Sequence, residues 1–231
     1  SVESYDDATF NLAIRFLPEM LKLMKFKNLL KLAWGFLPEV GMVLTSGLPK
    51  LILLVEFSGN SLEEIDGKME RLKEEIIKSK NPDIAKLKVR KTKTPEEAEK
   101  YWTIRRESFS LLRKHVQGRR TAPFIDDICV RPEFLPEFLP RLRRILDEYK
   151  LIVTIAGHAG NGNFHIIPLI DMTKEENRKL IPLLSDKVYD LVVQYEGTIT
   201  AEHNDGLIRT PYLSKMFKPE MLQLFSETKK I

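Results

Sequence analysis

Two apolar runs that meet at Asn161-Gly162, "LIVTIAGHAGNGNFHIIPLI" over residues 151–170, constrain this chain more than any other stretch. An Asn-Gly step between apolar segments is the strongest local hairpin signal, because both central positions of a type I′ turn need positive φ. A turn centred on the 161–162 bond predicts that His158 faces His165 across the strands, on one face of a sheet. Opposed residues hold their Cβ atoms about 4.5–5.5 Å apart, and two imidazoles at that reach can share one metal ion. The same pair also reads as two surface histidines beside a glycine turn, and spacing does not choose between these readings.

The flanking segments set the fold class. Strands are predicted over 51–59, 84–91, 124–130, 151–158 and 163–170. Ser61 with Glu64 forms a capping box for a helix whose stripe runs through Leu62, Ile65, Met69, Leu72 and Ile76. Thr94 with Pro95 and Glu97 opens a second helix, to about residue 116. Further helices are predicted over 133–149, 173–195 and 219–229. The order predicts an α+β fold, a ferredoxin-like antiparallel sheet with helices packed on one face.

Residues 10–37 also read as helix, broken or bounded by Pro18 and Pro38, with lysines at 22, 25, 27 and 31 beside Trp34 and Phe36. A basic amphipathic stretch of this kind either lies on a membrane surface or packs against the core. No run approaches the roughly 20 apolar residues of a membrane span, and the N-terminus lacks the pattern of a signal peptide. The net charge of +4 comes from 37 basic and 33 acidic residues mixed along the chain, which excludes the concentrated basic stripe of a nucleic-acid binder. One cysteine, Cys129, sits in an apolar run and reads as an inert buried thiol of a reducing compartment. No Gly-rich phosphate cradle or nucleophile elbow is present.

A second motif, "EGTITAEHNDG" over residues 196–206, places Glu202 beside His203 among small residues. Neighbours on extended backbone point apart, so the two are expected to serve different roles: Glu202 as the carboxylate of a two-histidine, one-carboxylate metal site and His203 as a base. An acid–histidine pair of this kind also reads as solvent-facing.

Together, "GHAGNGNFHIIPL" and "GTITAEHNDGLIRTPYL" resemble the C-terminal domain of FAD-linked oxidases, the cap half of flavoproteins that oxidise 2-hydroxy acids. The resemblance covers residues 51–231, leaving 1–50 as a helical extension or insertion. It implies that His158, His165 and Glu202 bind a divalent metal, commonly zinc, and that His203 is the catalytic base. It also implies that Arg105, with Arg106 as the neighbouring choice in "YWTIRRESF", grips the substrate carboxylate, and that Asn163 and Asn204 lie toward the cofactor. The metal would lower the pKa of the substrate hydroxyl, His203 would take its proton, and a hydride would pass to FAD to leave a 2-oxo acid.

Departures from the family pattern limit the carry-over. Asn204-Asp205 follows the AEH motif where a glycine is usual, and Ile125 stands where some relatives place a substrate-binding lysine. The FAD-binding domain lies outside this chain and is expected on the same polypeptide or on a partner subunit, so the isolated chain is expected to be inactive. The setting implied is cytoplasmic, either free or peripheral at a membrane. Two other functions fit the residues: a flavin-independent metal hydrolase using the same triad, and a non-catalytic ligand-binding module.

Overall fold

The computed structural model describes residues 1–15, 41, 47–115 and 120–231. Among the described residues, six strands form one antiparallel sheet: β1 (Val2–Asp6), β2 (Leu51–Val55), β3 (Arg120–Thr121), β4 (Ile128–Cys129), β5 (Ile152–His158) and β6 (Asn163–Ile170). The order is β2-β1-β5-β6, and both β3 and β4 pair with β6, β3 at its far end and β4 beside the hairpin turn. The helices are α1 (Asp7–Arg15), α2 (Leu62–Ile77), α3 (Pro82–Ala85), α4 (Pro95–His115), α5 (Leu135–Glu148), α6 (Glu175–Gln194), α7 (Gly206–Arg209) and α8 (Pro219–Thr228). This is the α+β antiparallel architecture expected from the sequence.

Alternation along β5 and β6 divides the sheet into two working faces. Val153, Ile155, Phe164, Ile166 and Ile170 point one way and meet Phe138, Leu142 and Leu146 of α5 and Leu184, Val188 and Val192 of α6. The spacing of four in each helix puts these side chains on a single stripe. Each is almost fully buried, which contributes on the order of 2 kcal/mol per side chain. The other face carries Ala156, His158 and His165. There Tyr5, Ile104 and Ala156 form a small second cluster with Phe10, Ile52 and Leu54, so α1 and α4 cover part of that face.

Several sequence expectations need correction. The first strand was not foreseen: β1 pairs with β2 from Val2↔Val55 to Asp6↔Leu51 and with β5 at Tyr5↔Ala156, so the first residues belong to the sheet and not to a separate extension. The helix expected over 10–37, with its basic face, lies outside the described residues beyond Arg15. Residues 84–91 do not form a strand. The Asn81 side chain accepts the Asp83 N–H at 2.9 Å and, with Pro82 in the first turn, starts α3 instead. Of the strand expected over 124–130 only Ile128–Cys129 pairs with β6, because Asp127 takes a left-handed backbone with φ 67°.

The hairpin turn also differs. Ala159–Asn161 form one 3-10 turn and only Gly162 takes positive φ, at 72°, so the two-residue type I′ turn does not form. The register is His158↔Asn163 and Ala156↔His165. The two histidines are therefore diagonal neighbours on one face, not directly opposed.

Candidate metal and substrate site

Although the register differs, the imidazoles still meet. The rings of His158 and His165 lie 5.5 Å apart in an edge-to-face arrangement. His203 arrives from the loop after α6 and stacks on His165, with centroids 4.8 Å apart and planes 15° from parallel. Glu202 stands between all three. Its Oε1 is 3.4 Å from His158 Nε2, 3.1 Å from His165 Nε2 and 3.4 Å from His203 Nε2.

The expectation that Glu202 and His203 point apart is overturned, and Asp127 is the reason. Its buried carboxylate accepts the N–H of Ala201 at 2.8 Å, of Glu202 at 3.2 Å and of His203 at 2.9 Å. Thr200 Oγ1 and Asn163 Nδ2 add further hydrogen bonds to the same carboxylate. The loop is wrapped around one anion and is not extended, so neighbouring side chains turn to the same side. Burial tends to raise the Asp127 pKa, but the combined donors from Ala201, His203, Glu202 and Asn163 outweigh it and hold the group down to about 2.

The opposite ring nitrogen of each histidine rests on a carboxylate. Glu3 Oε1 lies 2.7 Å from His158 Nδ1. Asp126 serves two rings at once, with Oδ1 at 3.1 Å from His165 Nδ1 and Oδ2 at 3.4 Å from His203 Nδ1. A carboxylate on Nδ1 favours the Nδ1–H tautomer and leaves the Nε2 lone pair for another partner. Three such lone pairs and one carboxylate oxygen thus converge. Asp127 Oδ, His165, Glu202 and His203 also fall within 4.8 Å of one another. The donors to Asp127 already fill its oxygens, which makes it the anchor of the loop.

Arg105 extends the network, its Nη2 lying 2.9 Å from Glu3 Oε2. It stands behind the His158 buttress, within the second face of the sheet. Arg106 turns outward and pairs with Glu99 on an exposed surface of α4. Asn163 is buried, with its amide donating to Asp127 Oδ1 and to the Ile128 carbonyl at 3.1 Å each. Asn204 is exposed at the rim, with φ 69°. Arg209, buried at 7% exposure, donates to the Asn204 carbonyl and to the Asp126 carbonyl, tying the far end of the loop to the segment just before β4.

Sequence reasoning missed Glu3, Asp126, Asp127 and Arg209. The adjacent Asp126-Asp127 pair was a usable signal, since two acids inside an apolar run need partners when buried. Glu3 carried no signal, because β1 was not foreseen.

Comparison with known proteins identifies the family. The chain matches the family described as "FAD linked oxidases, C-terminal domain" over residues 5–231. It is 32% identical over 171 residues to D-2-hydroxyglutarate dehydrogenase of Haemophilus influenzae, covering 73% of this chain and 16% of that protein. It is 32% identical over 136 residues to the mitochondrial D-lactate dehydrogenase (cytochrome) of Arabidopsis thaliana, covering 59% of this chain and 24% of that protein. It is 27% identical over 177 residues to the glycolate oxidase subunit GlcD of Bacillus subtilis, covering 75% of this chain and 36% of that protein. The chain therefore spans about a sixth to a third of the lengths of these relatives. A match that runs over nearly every residue of the sheet, the hairpin and the loop around Asp127 places this chain in the C-terminal domain family of FAD linked oxidases.

Proposed function

We propose that this chain is the substrate-side domain of an FAD-dependent oxidoreductase that converts a 2-hydroxy acid to a 2-oxo acid. In this reading His158, His165 and Glu202 hold a divalent cation, with zinc the best-suited ion, and His203 is the base. The flavin domain is supplied by the remainder of a longer polypeptide or by a partner subunit. The observation that carries the reading is the convergence of three imidazole Nε2 atoms on Glu202 Oε1.

The donor set fits the ion. A tetrahedral centre with ligands at about 2.1 Å has edges of about 3.4 Å, and the separations of Glu202 Oε1 from His158 Nε2 and His165 Nε2, 3.4 and 3.1 Å, match such edges. Nitrogen and oxygen donors of this kind suit zinc among the common divalent ions. Glu3, Asp126, Asp127 and Glu202 surround the cluster against the guanidiniums of Arg105 and Arg209, an excess of acid that favours a cation.

When bound, the cation would polarise the substrate hydroxyl and the flavin would accept the hydride. The chain's own residues do the rest. His203, at 43% side-chain exposure the most accessible of the three imidazoles, takes the hydroxyl proton on Nε2 while Asp126 holds its Nδ1. Arg105, linked to the site through its pair with Glu3, is the residue for the substrate carboxylate, and Arg106 is the weaker choice because it faces outward. Asn204 at the rim reaches toward the cofactor, and Asn163 acts there only through the loop that it helps to hold.

The test has two parts. Titration of the chain with cobalt(II), a spectroscopic substitute for zinc, should give one tight site that His158→Ala, His165→Ala and Glu202→Gln each weaken strongly. In the complete flavoprotein, His203→Ala should slow flavin reduction by D-lactate or glycolate about 10²- to 10⁴-fold while metal content is kept. Unchanged flavin reduction would remove His203 from the mechanism, and the absence of any tight site would remove the cation.

A further inference from the structure

We infer that Asp126 is a positioning residue that sets the tautomer of two histidines at once, one holding the cation and one moving the proton. The inference rests on the cation-holding reading above and deepens it.

The geometry asks for a carboxylate at this place. Two imidazoles, His165 and His203, present Nδ1 to the two different oxygens of Asp126, at 3.1 and 3.4 Å. For each ring to keep Nε2 unprotonated, each Nδ1 has to carry the proton and needs an acceptor. A single ionised carboxylate offers two acceptors on one rigid plane, and no other side chain of similar size does so. The rings are stacked 15° from parallel, so their Nδ1 atoms lie side by side as the two oxygens require. Rotation of either ring would break both the stack and the contact with Asp126.

Asp126 is itself held. It is 7% exposed, and its carbonyl accepts from Arg209 Nη2 at 3.0 Å. Arg209 also donates to the Asn204 carbonyl, so one guanidinium ties the backbone of Asp126 to the loop that carries His203. The left-handed backbone of Asp127 divides the work of the two neighbouring acids. Asp127 takes the backbone N–H groups of residues 201–203 and leaves Asp126 free for the rings. His158 is served separately by Glu3, so the consequence is confined to His165 and His203.

Asp126→Asn separates this role from a merely structural one. The amide is the same size but keeps one acceptor and gains a donor, so one of the two rings loses its Nδ1–H partner and moves its proton to Nε2. That ring can then neither bind a cation nor accept a proton at Nε2. In the metal-free chain, long-range ¹H–¹⁵N spectra of the histidine rings should show His165 and His203 as Nδ1–H tautomers, and Asp126→Asn should convert one of them. Cobalt(II) affinity should fall about 10- to 100-fold, with the visible bands of the bound ion altered. Asp126→Ala removes both acceptors without crowding the site and should lower affinity at least as far.

Each result has one meaning. If His165 or His203 of the unsubstituted chain is the Nε2–H tautomer, the inference is overturned, whatever the variants do. If both variants bind cobalt as tightly as the unsubstituted chain with unchanged tautomers, it is overturned as well. If the unsubstituted chain binds no cobalt, the cation reading fails, while the tautomer spectra still decide the role of Asp126.

Discussion

Asp127 and Glu202 are separated by 75 positions in sequence, yet the Glu202 N–H donates to both oxygens of the Asp127 carboxylate at 3.2 Å each. That one contact turns a distant loop into part of the site. It also makes a buried acid on the strand edge responsible for where the Glu202 side chain stands.

The first prediction concerns this anchor and acid. The Asp127 pKa is about 2 in the folded chain against an ordinary 3.8. A carboxylate with a lowered folded pKa contributes stability that is complete above its unfolded value, because unfolding at lower pH takes up a proton. The contribution should therefore be full above about pH 4 and should fade as pH falls toward 2. Asp127→Asn should lower stability near neutral pH by about 2–3 kcal/mol, since backbone donors are left facing an amide. Thermal melts of both forms from pH 6 to pH 2.5 should converge at the acid end; a constant gap would refute the assignment.

A second prediction contrasts the two neighbouring arginines. Arg105 neutralises the buried Glu3, whereas Arg106 pairs with Glu99 where both side chains are about half exposed. Arg105→Ala should cost about 3 kcal/mol, because it strands a buried carboxylate, and Arg106→Ala should cost about 0.5 kcal/mol or less. Urea denaturation midpoints measure the difference. Equal effects would mean that the Glu3 pair is not buried as described.

Gly162 supplies the third. A Cβ there would meet the Val130 carbonyl oxygen at 1.7 Å, and φ is already 72°. Gly162→Ala should lose about 2–4 kcal/mol and should weaken cobalt binding, because Val130 N–H bonds the Gly162 carbonyl and the hairpin carries both strand histidines. Gly160→Ala should be much milder, since its nearest neighbour is the Val2 side chain at 3.2 Å. Parallel melts of the two variants check this, and a tolerated Gly162→Ala would contradict the turn geometry.

A fourth prediction addresses α2. Ser61 Oγ accepts the Glu64 N–H at 3.1 Å, but no residue of the helix is buried. Ser61→Ala should therefore fray the helix locally by about 1 kcal/mol and leave the global melt almost unchanged. Amide exchange at residues 62–65 should accelerate, while that of β5 and β6 stays as it was.

Much of the fold was legible where local chemistry decides the outcome. The span of β6, the Ser61 cap and the Thr94 cap are set by contacts a few residues apart, and the structure holds all three as expected. The family motifs likewise led to the four residues that cluster. The turn register was not legible, because Asn-Gly permits two positive φ values but tertiary contact with Val130 selects one. Residues 84–91 alternate like a strand, yet Leu87 and Val89 stay 54% and 40% exposed, since the Asn81-Pro82 start competes locally. Glu3, Asp126 and Asp127 earn their roles only through long-range partners, and no sequence period reports those.

The alternation that sends Ile155 and Ile166 to one side of the sheet and Ala156 and His165 to the other has a wider consequence. A slip of one residue between these strands would press the imidazoles into the oily layer beneath α5 and α6 and expose aliphatic side chains to water. Such a misalignment is rejected by the full burial energy of the core, long before any ligand is consulted. The angular precision of the chemistry is thus inherited from hydrophobic packing on the reverse side of the same two strands.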